Sequence, residues 1–100
     1  MEVGRMSIVE QSNVFTWSEA NIQRAPGTCG VYTLRTGTAI PDIGYIGVAG
    51  AGRLRARLME HWTSHDHPHT THFHWAQCTD EENARALERR WINQYEPPWN

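Results

Sequence analysis

The sequence predicts an α+β domain built on a small three-stranded antiparallel sheet flanked by helices. Three observations carry this. Residues 29–34 and 43–48 are rich in strand formers and are separated by a loop holding Gly37, Pro41 and Asp42, which reads as a hairpin with a long connection. Residues 72–78 alternate like a third strand, and residues 53–62 and 79–95 carry apolar side chains at helical spacing. The order strand, strand, helix, strand, helix gives a short sheet with helices packed on it.

Taken in order, residues 1–16 show no sustained period and are expected to form a mobile end or an edge strand around Val14 and Phe15. Ser18 can cap a short helix running to Gln23, which Pro26 terminates because the residue before a proline avoids the α region. Pro26-Gly27 reads as a turn into the first strand. Gly50 and Gly52 break the second strand before the helix that begins at Arg53. Residues 64–71 are polar. Thr79 with Glu82 forms a capping-box pattern for the last helix, which Pro97-Pro98 stops.

One hundred residues make one domain, with a core over 26–100 and an N-terminal extension over 1–25. No apolar run approaches the roughly 20 residues of a membrane helix, and the first residues lack the apolar stretch of a secretory signal. A cytoplasmic location is expected, with Cys29 and Cys78 as reduced, buried thiols. The formal charge of −2 is low for a protein that grips phosphates. All nine basic residues are arginine, however, and six fall in two clusters, Arg53, Arg55, Arg57 and Arg85, Arg89, Arg90. Guanidinium forks suit phosphate geometry, so a local basic patch around Arg53, Arg55 and Arg57 is the candidate nucleic-acid surface. The alternative is that these clusters are solvated helix faces.

Two positions conflict with a plain core. At about 100° per residue, Glu88 falls inside the apolar arc made by Ala84, Leu87, Trp91, Ile92 and Tyr95. A carboxylate there requires either a facing arginine or a bound cation. In the preceding helix Arg57 and His61 are spaced i, i+4, so both lie on one face, flanking the apolar stripe of Leu54, Leu58 and Trp62. Arginine stays protonated and suits charge stabilisation, whereas a neutral imidazole can accept a proton. Tyr32 and Tyr45 can serve one cleft only if the hairpin register aligns them on one face.

The ordered set Gly30-Val31-Tyr32, Tyr45-Ile46-Gly47, Arg57-x-x-x-His61, Glu88 and Pro97-Pro98-Trp99-Asn100 resembles the GIY-YIG endonuclease family over roughly residues 26–100. Val31 departs from the isoleucine of the first signature. The resemblance implies a metal-dependent DNA endonuclease that hydrolyses phosphodiester bonds with one metal ion and a tyrosine-assisted water. It implies Tyr32, Tyr45, Arg57, His61, Glu88 and Asn100 as catalytic residues. Glu88 would be the ligand of magnesium, which manganese could replace; zinc is not expected. One signature tyrosine would activate the water, with Tyr32 preferred, and Asn100 would hold the active-site loops. Gly47 would allow close backbone approach beside the cleft. DNA is the implied partner, and a second protein could supply specificity.

All six histidines lie between His61 and His74, and five of them add to the family pattern. A solvated loop, a metal-binding interaction domain and a pH-dependent nucleic-acid contact are the readings for this segment; protonating all six would take the formal charge from −2 to +4. A catalytically inactive nucleic-acid-binding module is the other alternative to an endonuclease.

Overall fold

The computed structural model describes residues 8–100, and the expectations for residues 1–7 lie outside them. The elements run β1 (Ile8–Gln11), β2 (Phe15–Thr16), α1 (Glu19–Ile22), β3 (Gly30–Arg35), β4 (Ile43–Ala49), α2 (Leu54–Ser64), β5 (His72–Cys78) and α3 (Glu81–Tyr95), with a single 3₁₀ turn at Ile40–Asp42 before β4. The sheet has five strands rather than three. The three anticipated strands form its centre in the order β5-β3-β4, and the short strands β1 and β2 both pair antiparallel with the outer edge of β5. Between them Ser12 replaces ladder bonds with its own: its N–H donates to the Trp75 carbonyl and its hydroxyl accepts from the Trp75 N–H, both at 2.9 Å. β2 lies where an edge strand was expected around Val14 and Phe15, whereas β1 escapes sequence reading because four residues are too short to display a period.

Every residue of β3 is buried, as expected of a strand covered on both faces. One face carries Tyr32, Leu34, Ala49, Phe73 and Trp75, packed with Ile22 of α1 and Leu54 and Leu58 of α2. The opposite face carries Val31, Ile43, Ile46, Ala76 and Cys78, covered by Ala84 and Leu87 of α3. Residues 15–25 therefore contribute directly to the core packed around the signature strands. Ser18 caps α1 as anticipated, its hydroxyl accepting from the Asn21 N–H at 3.2 Å. The cap of α3 lies one residue later than expected. Asp80 accepts from the Asn83 N–H at 2.8 Å, while the Thr79 hydroxyl takes the Asn83 side-chain amide instead. A carboxylate at that position also complements the positive end of the helix dipole. Cys29 and Cys78 are buried and unpaired.

Candidate active site

The β3–β4 register pairs Tyr32 with Gly47 and Leu34 with Tyr45, which sets both tyrosines on the face covered by α2. Their ring centroids lie 6.2 Å apart. The Tyr32 ring extends over β4 at Gly47, where an added Cβ would sit 2.4 Å from the ring carbon bearing the hydroxyl and from the hydroxyl itself. Gly47 is thus the gap through which the phenol passes.

The phenol meets α2 at its far end. Leu54 and Leu58 are fully buried and fix the rotation of α2 about its axis, so that His61, on the same side one turn on, also points inward. Tyr32 Oη and His61 Nε2 are 2.7 Å apart. The helix ends at His65, which adopts a left-handed φ of 55° and turns the chain back. That reversal brings Asp66 beneath the same imidazole, with both carboxylate oxygens 2.9 Å from Nδ1. The order Tyr32–His61–Asp66 is therefore continuous. Burial pushes the Tyr32 phenol up, the neighbouring Tyr45 adds to this, and the Arg57 cation works against both. Burial also raises Asp66, but the hydrogen bond from His61 and the charges of His61 and His67 outweigh it, leaving the carboxyl below its ordinary value.

Tyr45 is half-buried, with its ring 5.6 Å from His61 and 4.5 Å from His67. His67 in turn stacks on Trp99 at 5.7 Å and 10°. The tail carrying Trp99 closes the outer edge of β4. The Trp99 N–H donates to the Gly44 carbonyl at 2.8 Å, and Asn100 makes a two-way pair with Ile46. The Ile46 N–H donates to Asn100 Oδ1 and the Asn100 amide donates to the Ile46 carbonyl, both at 2.8 Å. Asn100 thus supplies the hydrogen bonds a further strand would make, one residue from Tyr45.

Arg57 is one turn before His61, on the rim, and is ion-paired with Glu60 at 2.6 Å. Glu60 also binds Arg53, and both guanidinium groups hold its carboxyl below the ordinary range. Arg55 donates from Nε to the Ala25 carbonyl at 2.7 Å, tying α2 to the loop that follows α1. Glu88 sits on α3, directly after buried Leu87, and is itself half-buried. Among the described residues it makes no hydrogen bond or ion pair. Burial raises its carboxyl, against the pull of Arg85 and Arg89. A half-buried carboxylate without a protein partner fits the outer ligand of a hard divalent cation that keeps most of its waters. Among the described residues no arginine of a facing element pairs with Glu88, and Arg85 of the same helix bonds Glu81.

The structure gathers Tyr32, Tyr45, Arg57 and His61 into one cluster, pairs Asn100 of the tail with the edge of β4 beside it, and leaves Glu88 on the helix covering the opposite face. Asp66, Glu60 and His67 were not anticipated. The Arg57-x-x-Glu60 spacing was a readable signal; Asp66, beyond a helix stop, had none. The histidine segment is not a uniform solvated loop. His74 is buried in β5 and held near a pKa of about 4 by burial and by Arg35, so protonation of all six histidines does not accompany mild acidification. His61, Asp66 and His67 bring ligand atoms within 4.8 Å of one another. Two of those three are already engaged with each other.

This architecture is that of a GIY-YIG endonuclease domain, as comparison with solved structures shows. The chain is similar to the N-terminal GIY-YIG endonuclease domain of UvrC from Thermotoga maritima. In the form bound to magnesium as its catalytic divalent cation, identity is 25%, with 81% of this chain and 92% of that chain covered, at a TM-score of 0.68. Two point mutants of that domain, one Tyr→Phe and one Asn→Ala, both bound to the divalent cation, match at 24% identity over 81% of this chain and 91% of theirs, with TM-scores of 0.68 and 0.69. No family model and no curated protein matches the chain. No helix among the described residues is long and apolar enough to cross a membrane.

Proposed function

We propose that this protein is a metal-dependent endonuclease acting on DNA, with Tyr32 and His61 as its proton-accepting pair. The observation that carries this reading is the 2.7 Å contact between Tyr32 Oη and His61 Nε2, beside Arg57, in a fold shared with a cation-bound endonuclease domain. A phenol is a poor base, and ordinary values of about 10 and 6.5 make transfer of its proton to imidazole uphill by roughly 5 kcal/mol. Burial of the phenol raises that cost further, and the cationic Arg57 and an adjacent carboxylate offset part of it by favouring the phenolate and the imidazolium.

Glu88 would hold the divalent ion, which when bound supplies charge neutralisation at the phosphate and at the departing oxygen. As the Tyr32 proton passes to His61 Nε2, the phenolate takes a proton from water and the water oxygen bonds to phosphorus. The P–O3′ bond breaks, leaving a 5′-phosphate, and the departing oxygen takes a proton from solvent. Imidazolium then returns its proton to solvent. Arg57 balances charge on the phosphoryl oxygens, exchanging Glu60 for phosphate. Tyr45 orients the water or phosphate, and Asn100 holds β4 in register. Tyr32 is fully buried, so this sequence requires the side chains around it to part when substrate binds.

Net charge of −2, with Arg53 and Arg57 sharing the single carboxylate of Glu60 and so reduced to one net positive charge, supports weak intrinsic affinity for duplex DNA and a partner protein or a distorted DNA structure as the source of specificity. The test is nicking of supercoiled plasmid with magnesium or manganese by wild type, Glu88→Ala and Arg57→Ala. Cleavage by wild type that drops about 100-fold or more in both variants is expected. Equal inactivity of all three on plasmid, branched and single-stranded DNA would replace the endonuclease with a nonenzymatic binding module.

A further inference from the structure

We infer that Asp66 is a positioning residue for His61, fixing the tautomer in which Nε2 carries the lone pair that receives the Tyr32 proton. This deepens the endonuclease reading and rests on it for its catalytic meaning, but its structural content is independent.

The argument is one of donors and acceptors. An ionised carboxylate only accepts, so two oxygens at 2.9 Å from Nδ1 require that nitrogen to carry a hydrogen. A neutral imidazole has one N–H, which leaves Nε2 bare and makes the Tyr32 hydroxyl the donor across the 2.7 Å contact. The other tautomer would set the Nδ1 lone pair against the carboxylate and aim an N–H at the phenol. It would also remove the acceptor that the proton transfer needs. Once the phenol proton arrives, Asp66 faces the resulting imidazolium as its counter-charge, the relation a triad aspartate bears to its histidine.

Asp66 is held for this role. The His65 N–H donates to the His61 carbonyl at 3.0 Å, anchoring the reversal to the residue Asp66 serves. At the other end of the loop the Thr70 N–H donates to the His67 carbonyl and the Thr71 N–H to the Arg35 carbonyl, at 3.1 and 2.8 Å. His61 is 5% exposed, whereas the Asp66 side chain is 46% exposed, so the carboxylate links a buried ring to solvent. The α2 sequence itself offers Glu60 one residue before His61, but that carboxylate is committed to Arg53 and Arg57.

Two measurements on wild type, Asp66→Ala, Asp66→Asn and Asp66→Glu test the inference. Long-range proton–nitrogen NMR of the histidine rings at pH 8 should show His61 with hydrogen on Nδ1 in wild type and a substantial Nε2–H population in Asp66→Ala. Plasmid nicking should show kcat reduced about 100-fold in the Ala and Asn variants, with KM for DNA changed less than about threefold and partial recovery in Asp66→Glu. Wild-type His61 carrying its hydrogen on Nε2 would overturn the inference, as would a full nicking rate in Asp66→Ala while Glu88→Ala is inactive. If wild type cleaves no DNA, the tautomer shift alone decides, so the endonuclease reading can fail while the positioning role stands.

Discussion

Acidification from pH 7 to pH 5 should remove about 2 kcal/mol of folding stability through a single buried ring, His74. The ring lies in β5, 5% exposed, within a directed chain of hydrogen bonds. The Arg35 Nε–H donates to Thr33 Oγ1 at 2.9 Å, Thr33 donates to His74 Nδ1 at 3.2 Å, and His74 Nε2–H donates to Gln11 Oε1 at 2.6 Å. Adding a proton at Nδ1 would reverse one of these bonds and set a second cation beside buried Arg35. Burial first, and Arg35 second, lower the pKa from 6.5 to about 4. Between those values the unfolded chain binds a proton that the folded chain refuses, so stability rises with pH across this window and is lost as pH falls through it. Integrating to pH 5 gives about 2 kcal/mol, a sizeable part of a small domain's total stability. Glu60, Glu81 and Asp66, whose values are lowered, lose their contributions mainly below this window, and Glu88, whose value is raised, acts in the opposite direction. The difference between wild type and His74→Gln, which keeps a donor and an acceptor but cannot titrate, isolates the histidine. Urea unfolding at pH 7, 6 and 5 should show a slope in wild type that flattens in the variant by about 2 kcal/mol. Equal slopes within about 0.5 kcal/mol would refute the reasoning.

Gly47→Ala should cost roughly 1–3 kcal/mol by overpacking, and should lower nicking at least tenfold, because its methyl group would displace the Tyr32 hydroxyl from His61. An unchanged melting temperature together with full nicking would show that the phenol does not cross β4 there. Asn100→Ala should remove two hydrogen bonds to Ile46, worth about 1–2 kcal/mol together, and speed hydrogen exchange at the Ile46 amide selectively. Exchange at Ile46 that stays as slow as in wild type would mean that Asn100 does not hold the edge of β4.

What the sequence made legible was what local rules govern. Alternation along β3 and β4 allowed Tyr32 and Tyr45 to share one face only in a register that the structure supplies, whereas the i, i+4 relation by itself put Arg57 and His61 on one face of α2. Glu88 was expected within an apolar arc and is half-buried there, because α3 is covered through Ala84 and Leu87 while its next residue turns toward the rim. Asp66 depends on a left-handed residue at His65, a conformation uncommon outside glycine and not encoded in any periodic pattern. Strand β1 depends on an edge of β5 that exists only once the sheet has formed, whereas the edge strand at Phe15 was among the expectations.

The arginine inventory carries the remaining step from structure to function. Composition alone suggested a basic patch, yet Arg53 and Arg57 share Glu60, Arg85 is bound by Glu81, Arg55 holds a backbone carbonyl and Arg35 is buried. Arg89 and Arg90 make no ion pair among the described residues and directly follow Glu88 on α3. On the endonuclease reading, a phosphate entering beside Tyr32 competes with Glu60 for Arg57, whose guanidinium is bonded to that carboxylate through Nη1. That exchange replaces one solvent-exposed ion pair by another ionic contact, so it adds little to affinity. On the proposed endonuclease reading, binding energy for DNA comes from elsewhere, from a divalent ion at Glu88 or from a partner, which is why the chemistry of this site can be assembled from its residues while its choice of target cannot.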